Sequence, residues 1–357
     1  MLRSHSQWFT TSRLLALFPI TGSPTAVERY PKRATQWQLA LAFAAILGAI
    51  SPLAAQAYPS RPITVVVPFP AGGAFDAIVR IITDPMKLSL GQPFIIENIG
   101  GANGSIGIGR VARAAPDGYT ISLGYWGTHV INPAIYSLQY DVLTDFEPIS
   151  LLVSNPQVIV SKNALPAKTM RDVIAWLKAN EGKATLATVG AGSPPHVAGL
   201  LLQRLIDTRV QFVPYRGGAP AMQDLVAGQV DMSILQAGLV LPPVNAGRIR
   251  AYAITAPTRL TSAPDIPSAV EAGVPGLDVS TWSGLWAPKG TSKEMIAKLN
   301  AAIVDALADP AVRRRLAELG QEIFPREQQT PEALAALQRA EIEKWWPIIK
   351  AANIKGD

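Results

Sequence analysis

The sequence predicts an α/β protein with two lobes. Its clearest unit is the β-branched run at residues 63–67, typical of a buried strand. A turn rich in Pro and Gly follows, and then residues 75–90 place apolar side chains at helical spacing. The order of strand, glycine-rich turn and helix recurs along the chain, which indicates a parallel sheet. About 300 residues follow an N-terminal leader, which is enough for two α/β lobes.

The first turn, residues 68–76 (PFPAGGAFD), predicts a cradle for a carboxylate. Its glycines let a ligand approach the backbone closely, and the following helix points its positive end into the same space. Ligands of open α/β sheets bind at this carboxyl end of a strand. Asp76 is favoured by the helix dipole in any case, and it either orders the loop or binds a ligand amine. The candidate ligand residues here are Phe69, Ala71, Gly72, Gly73 and Asp76.

The next strands and loops repeat this order. We predict strands at 93–97 and 119–123, with a Gly/Asn-rich loop at 98–104 and a helix at 106–115 between them. Residues 124–129 (GYWGTH) then form a second loop of the kind that borders a cleft. Its candidate ligand residues are Tyr125, Trp126 and Thr128, and His129 is expected to support the loop.

A second glycine-rich turn resembles the first. Short strands are predicted at 146–152 and 157–162, a helix at 169–180 and a strand at 184–189. The strand at 184–189 runs into GAGSPPH, residues 190–196, with Ser193 as the predicted helix N-cap. We take Gly192, Ser193 and His196 as ligand candidates. For Ser193 the alternative is a cap alone, and for His196 a packed ring, a catalytic base or a metal ligand.

A third candidate loop contains Tyr215 and Arg216, because a guanidinium suits bidentate binding of a carboxylate. The alternative for Arg216 is an exposed arginine in a turn. Further strands are predicted near residues 230–235 and 249–255. Amphipathic helices at 292–307, 311–319 and 330–352 are expected to cover the first lobe, so that the chain returns to it.

Residues 1–57 are predicted to be an N-terminal extension and a cleaved signal peptide. The apolar run 39–50 follows Lys32 and Arg33 and is itself followed by the small-residue motif at 55–57. This run is too short to cross a bilayer comfortably. We therefore expect a mature chain that starts at Tyr58 and lies in the periplasm.

Charge and composition exclude several classes of protein. The whole chain has a formal net charge of +6 at pH 7, of which residues 1–57 contribute +4, so the mature chain has a net charge of only +2. No clustered basic face of the kind that binds nucleic acid remains. The chain has no cysteine, which excludes disulfides and thiolate metal sites.

No motif predicts a cofactor or an enzyme. The glycines of residues 107–112 fit a dinucleotide-binding pattern only weakly, since they lie within a helix pattern. Ser193 and His196 could form a nucleophile–base pair, yet no third residue is evident to orient the imidazole. We expect a protein that binds without chemistry and needs no cofactor or metal.

Six ordered motifs between residues 58 and 291 resemble those of the Bug/TctC family, the periplasmic receptors of tripartite tricarboxylate transporters. They are YPSRPITVVVPFPAGGAFD, ENIGGANGSIGIG with PDGYT, GTHVINPAIY, VPYRGGAPAMQDLVAGQVD, EAGVPG and TWSGLWAPKGT. The resemblance implies a type II periplasmic-binding-protein fold, with two Rossmann-like α/β lobes joined by a two-strand hinge. Residues 58–162 with 282–357 would form lobe 1, and residues 163–281 lobe 2.

The resemblance also implies a class of ligand, a membrane partner and an oligomeric state. The ligand would be a small organic carboxylate held by backbone amides of two facing loops, the partner a membrane transporter, and the receptor a monomer. A receptor that feeds a signalling partner is the alternative. Phe75 and Trp126 stand where the family usually has smaller residues, so this chain would favour an aromatic or longer apolar carboxylate.

Overall fold

The computed structural model describes residues 58–355, and a ten-stranded sheet runs through that part of the chain. The predicted signal peptide and its cleavage lie outside the described residues. The strands are β1 (Ile63–Val67), β2 (Phe94–Asn98), β3 (Thr120–Tyr125), β4 (Phe146–Lys162), β5 (Thr185–Thr188), β6 (Gln211–Pro214), β7 (Met232–Gln236), β8 (Ile249–Ile254), β9 (Ser280–Pro288) and β10 (Glu322–Ile323).

Helices cover both faces of this sheet. The α-helices are α1 (Ala74–Leu90), α2 (Ser105–Ala112), α3 (Asn132–Ile135), α4 (Met170–Ala179), α5 (Pro194–Ile206), α6 (Gly218–Ala227), α7 (Ala237–Asn245), α8 (Lys293–Ala308), α9 (Pro310–Glu318) and α10 (Pro331–Ala351). Short 3₁₀ turns occupy Ala102–Gly104 and Arg326–Gln328. None of the helices in the described range is both long and apolar enough to span a bilayer.

The strand order is β2-β1-β3-β9-β4-β7-β5-β6, and β8 and β10 also pair with β4. Strands β1, β2 and β3 are mutually parallel, as are β5, β6 and β7. Strand β9 is antiparallel to both β3 and β4. The predicted parallel pairing is therefore correct within each of two groups, which β4 and β9 connect.

Strand β4 differs from its prediction. Two short strands were expected, but one strand of 17 residues pairs with β9 over residues 146–156 and with β7 over residues 157–161. Proline is disfavoured inside a central strand, yet Pro148 and Pro156 both lie within β4. The strand accommodates the disturbance through register shifts at Pro148/Ser150 and Leu151/Val153.

The carboxyl ends of the two parallel groups point at each other. Strand β3 runs in the same direction as β4 and ends at Tyr125, beside Ser283 of β9. Strand β7 runs in the opposite direction and ends at Gln236, beside Gln157 of β4. Both ends therefore converge on residues 153–157 of β4. This is a point where the strand order reverses, and ligands of α/β sheets bind at such points.

The core of the first group has a layer on each face of the sheet. Val65 and Val67 pack with buried residues of α1 and α8, whereas Val66 packs with those of α2 and α10. This alternation follows the two-residue period of a strand. Buried residues of all three C-terminal helices, α8, α9 and α10, belong to these two layers, so the chain returns to the first group as predicted.

The loop predicted at residues 124–129 is wrong in its backbone. Strand β3 extends to Tyr125, and a π-helical turn, Gly127–Ile131, follows directly. Single π-helical turns are rare in proteins, and those that occur are often found at functional sites. The two glycines on either side of the aromatic pair suggested an open loop, but they have a packing role instead. A Cβ added at Gly124 would lie 2.2 Å from His129 Cε1.

Candidate functional site

The first glycine-rich loop, residues 68–73, follows β1 at the converging strand ends. Gly72 has φ +81°, in the left-handed region that glycine adopts without strain. Gly73 is the N-cap of α1 and offers no side chain to cap it. The N–H groups of Ala74, Phe75 and Asp76 have no partner within the helix, because the first turn of any helix lacks acceptors. Together with the helix dipole they suit an anion.

The Asp76 side chain holds this loop in place through hydrogen bonds to its backbone and to Asn98. Its Oδ2 accepts the Gly72 N–H at 2.9 Å and Arg80 Nε at 2.9 Å, while its Oδ1 accepts Asn98 Nδ2 at 3.1 Å. The side chain is buried, and the hydrogen bond from Arg80 is the main cause that lowers the pKa of this carboxyl. Of the two roles expected for Asp76, these contacts support ordering of the loop. The Gly72 N–H is thereby occupied.

Asn98 and Arg80 were not among the predicted site residues. Asn98 Nδ2 also donates to the Phe69 carbonyl at 3.1 Å, so it fixes both ends of the first loop. Arg80 stands four residues after Asp76 on the same helix, at a spacing that brings opposite charges together. That spacing was visible in the sequence. The position of Asn98 depends on strand pairing, which was not.

Three aromatic rings form what we call the aromatic cluster: Phe69, Phe75 and Tyr125. The rings of Phe69 and Phe75 stack at 4.9 Å, and Tyr125 lies 5.3 Å and 4.8 Å from them. Phe69 and Phe75 are half-buried, so the cluster keeps an exposed edge beside the loop. Burial raises the pKa of the Tyr125 hydroxyl, which therefore stays protonated.

Trp126 does not join this cluster. It is 1% exposed, packs edge-on against Trp345 with ring centres 5.6 Å apart, and donates from Nε1 to Glu341 Oε2 at 2.9 Å. Trp345 Nε1 donates to the same oxygen at 2.8 Å. Burial raises the pKa of Glu341. The Trp126 ring thus lies in the core under α10.

Thr128 and His129 hold the π-helical turn. Thr128 Oγ1 accepts the Tyr125 N–H at 3.0 Å and lies 3.0 Å from the Tyr125 carbonyl and 2.9 Å from His129 Nδ1. His129 is fully buried and stacks on Trp286 at 3.9 Å. Burial lowers the pKa of His129 to about 3, so the ring is neutral. His129 accordingly supports the turn, and the Thr128 hydroxyl is engaged inside it.

The second loop, residues 189–193, follows β5 and repeats the first. Gly190 and Gly192 have φ values of +105° and +70°. The Gly192 N–H donates to His196 Nδ1 at 3.1 Å, four residues further on, as the Gly72 N–H does to Asp76. Burial lowers the pKa of His196. A neutral ring that accepts at Nδ1 carries its proton on Nε2, which leaves one donor for a ligand.

This second loop offers fewer amides than the first. Ser193 is the N-cap of α5 as predicted, but its hydroxyl donates to the Gly190 carbonyl at 2.7 Å instead of accepting from the helix. Pro194 and Pro195 occupy the first two helical positions and have no N–H. The start of α5 therefore has fewer N–H groups to offer an anion than the start of α1. Ser193 and His196 also make separate contacts, so they do not form a nucleophile–base pair.

The second loop lies against the segment that follows β3. A Cβ added at Gly192 would lie 3.0 Å from Ile135 Cδ1 and 3.6 Å from Ile131 Cγ2, both of which belong to the first strand group's side of the molecule. Gly192 is itself buried. The close approach of these segments needs a residue without a side chain at this position.

Tyr215 and Arg216 lie between β6 and α6. The Tyr215 hydroxyl donates to Asp224 Oδ2 at 2.7 Å, and burial, followed by this carboxylate, raises its pKa to about 12. The Tyr215 hydroxyl therefore has an internal partner. Arg216 is exposed.

A surface groove of about 870 Å³ lies elsewhere, between the start of β4 and helices α8 and α10. Lys289, Lys293 and Arg339 line it, and none of the predicted ligand residues does. It is remote from the carboxyl ends of the parallel strands. We place the candidate site at the two glycine-rich loops because they follow parallel strands at the converging strand ends and the first loop leads into a helix start without a side-chain cap.

Strands β4 and β9 connect two groups of parallel strands, and each group carries a glycine-rich loop at its converging end. This arrangement is that of periplasmic-type solute-binding proteins. The chain belongs to the family described as tripartite tricarboxylate transporter family receptor, whose model matches residues 78–354. Members of this family and the structural neighbours are solute-binding receptors and not enzymes. The family predicted from the motifs is confirmed.

Three solved structures are similar over nearly their whole length. MatC (Rpa3494) from Rhodopseudomonas palustris with bound malate is 40% identical, with a TM-score of 0.69, and the match covers 82% of this chain and 100% of that one. The periplasmic binding protein BugD is 37% identical, with a TM-score of 0.68 and coverages of 84% and 99%. Rpa4515 of R. palustris with adipate is 31% identical, with a TM-score of 0.71 and coverages of 84% and 99%. They confirm the predicted fold class.

Proposed function

We propose that this protein is a periplasmic receptor that captures a small organic carboxylate and delivers it to a membrane transporter of the tripartite tricarboxylate type. The observation that carries the proposal is the uncapped start of α1, whose N–H groups face the converging strand ends. The malate and adipate bound by the similar proteins MatC and Rpa4515 are both small carboxylates. The transporter partner is supported by the family description.

The ligand lies between two lobes in this proposal. Lobe 1 comprises residues 58–162 and 282–357, and lobe 2 comprises residues 163–281. The exchange of partners along β4, from β9 to β7 at residues 156–157, supports this division. Opening and closing would then bend the chain near residues 162–165 and 280–284. The receptor acts as a monomer and needs no cofactor.

The two loops have unequal roles in holding the anion. The first loop supplies the amides of Gly73, Ala74 and Phe75 and the dipole of a 17-residue helix. The second supplies the His196 Nε2–H and the Ala191 N–H, since the Gly192 N–H is already donated to His196 Nδ1. Each donor that meets an ionised oxygen makes a charge-assisted hydrogen bond, and these are about twice as strong as neutral ones.

A thermal-shift screen of the purified protein against carboxylates tests the proposal. Aliphatic mono-, di- and tricarboxylates, hydroxy acids, amino acids and aromatic acids would each be titrated. A ligand that binds only the folded state raises Tm with concentration. We expect at least one carboxylate to do so, and the matching amide or ester not to. If protein freed of bound ligand by unfolding and refolding responds to none of them, the proposal is wrong.

Delivery and location need separate tests. N-terminal sequencing of the exported protein should find Tyr58 first, and fractionation should find the protein in the periplasm. Deletion of the gene should abolish uptake of the carboxylate identified in the screen. A deletion strain that keeps its uptake but loses a transcriptional response to the carboxylate would favour a sensing receptor instead.

A further inference from the structure

Three buried side chains at the centre of the sheet have polar atoms without partners. We call Asn155, Gln157 and Ser283 the polar row; they are 6%, 0% and 2% exposed. No group of the described chain lies within hydrogen-bond distance of Asn155 Oδ1, Gln157 Oε1 or Ser283 Oγ. The orientation of the Gln157 amide is set by its Nε2, which donates to the Asn155 carbonyl at 3.3 Å.

The row lies on one face of the sheet, between the two strand ends. Ser283 is paired with Tyr125 on one side and with Val153 on the other, and directly opposed residues point to the same face. Asn155 and Gln157 follow Val153 at steps of two, so they share that face as well. Gln157 is in turn paired with Gln236 at the end of β7. The row thus runs from the aromatic cluster to the second strand group.

Leaving these atoms unpaired is costly. A buried polar group without a partner destabilises a protein by about 1–3 kcal/mol. Within the polar row, three such groups occur within one short stretch where the strand ends converge. Since Asn155 keeps some exposed surface, the row borders the site instead of lying wholly inside the core.

The chemistry of the row is that of a hydrogen-bond acceptor. The unpaired atoms of Asn155 and Gln157 are amide oxygens, which accept only, and the Ser283 hydroxyl can accept or donate. A carboxylate is itself an acceptor and cannot satisfy the amide oxygens. A hydroxyl group can. An ammonium group would need a negative partner for full desolvation, and the row contains no charged side chain.

We infer that the polar row is part of the ligand site and that it recognises a hydroxyl group, so that the ligand is a hydroxycarboxylate. This inference rests on the proposed function. The start of α1 holds a carboxylate, and the aromatic cluster lies against the carbon skeleton. The ligand hydroxyl donates to the amide oxygen of Gln157 or Asn155 and accepts from the Ser283 hydroxyl, so both kinds of partner contribute to the preference. Closure over the ligand gives the row the partners that it lacks.

Calorimetry with pairs of acids that differ by one hydroxyl tests the inference. Suitable pairs are succinate and malate, glutarate and 2-hydroxyglutarate, and phenylacetate and mandelate. The purified protein should bind the hydroxylated member of a pair about 3- to 10-fold more tightly, the range that one net hydrogen bond provides.

Two variants and a matched control locate the preference. Ser283→Ala and Gln157→Met should each bring the ratio of the two affinities towards one, while the affinity for the unsubstituted acid changes by less than about twofold. Ser122→Ala is the control, because Ser122 Oγ is also buried and unpaired. It lies three residues before Tyr125 on β3 and therefore faces the other side of the sheet. It should keep the preference.

Stability separates a ligand role from a structural one. Ser283→Ala removes a hydroxyl that has no partner, so Tm without ligand should stay constant or rise. This variant also carries the test if Gln157→Met does not fold. Equal affinities within every pair, or a preference that survives in Ser283→Ala, would overturn the inference. Failure of the unmodified protein to bind any of the acids would instead contradict the proposed function.

Discussion

The N–H of Gly72 donates to Asp76 Oδ2 at 2.9 Å, and at the equivalent place in the second loop the N–H of Gly192 donates to His196 Nδ1 at 3.1 Å. Both contacts span four residues, from the loop into the first turn of the helix. One loop is closed by an anion that Arg80 balances, and the other by a neutral ring. The two closures fix the loops while leaving different chemistry for a ligand.

Asp76→Asn should destabilise the protein by about 2 kcal/mol at pH 7, since the hydrogen bonds to the charged carboxylate are lost. The folded-state pKa of Asp76 is lowered, so its contribution is present above the unfolded value of about 3.9 and disappears as pH falls through the folded value. Urea unfolding from pH 7 to pH 3 should show the two proteins converging in acid. Asp84→Asn, on the exposed side of the same helix, should change stability little. A difference that is constant with pH would contradict this assignment.

Gly192→Ala should weaken ligand binding about tenfold, because the added methyl group would meet Ile135 where the two sides approach. Gly182→Ala is a matched control, since Gly182 has φ +69° against +70° for Gly192 and nothing within 4 Å of its added Cβ. Both variants carry the same backbone strain, about 1–2 kcal/mol. Calorimetry and unfolding of both variants separate strain from obstruction. Equal affinities in the two variants would show that the approach at Gly192 is irrelevant to binding.

Phe75→Leu should change which carboxylates bind, and Trp126→Phe should not. Phe75 is half-buried in the aromatic cluster beside the first loop, whereas the Trp126 ring is in the core. Trp126→Phe removes one of two donors to Glu341 and should cost about 1–3 kcal/mol of stability. The thermal-shift screen, repeated on both variants, measures both effects. An altered ligand profile in Trp126→Phe with an unaltered one in Phe75→Leu would reverse the assignment.

The two described histidines should make stability fall below neutral pH. Burial lowers the pKa of His196, and that of His129 to about 3, below the unfolded value of about 6.5. The unfolded chain thus binds protons that the folded chain does not, so stability is complete above pH 6.5 and declines as pH drops below it. NMR titration of the ring signals should find His129 neutral throughout the folded range. A His129 signal that titrates near pH 6.5 would contradict its burial.

The sequence was a good guide where local chemistry decides the structure. The start of α1 and the cap at Ser193 follow from glycine, serine and proline at the end of a strand, and the structure has both where expected. It was a poor guide where pairing decides. Two short strands were predicted at 146–152 and 157–162, yet the pairing with β9 carries β4 through the gap between them. The polar row was equally hidden, because β9 lies about 125 residues beyond β4 in the chain.

The placement of β9 between β3 and β4 also affects how the chain must fold. Strands β3 and β4 do not pair with each other, because β9 lies between them. The sheet therefore lacks its central strand until residues 280–288 have been made. Contacts of such long sequence separation form slowly and leave strand edges unprotected in the meantime. Nascent chains that end before Ser280 should therefore remain unfolded and depend on chaperones. A chain with this strand order therefore stays unfolded, and able to pass through a narrow channel, for most of its synthesis.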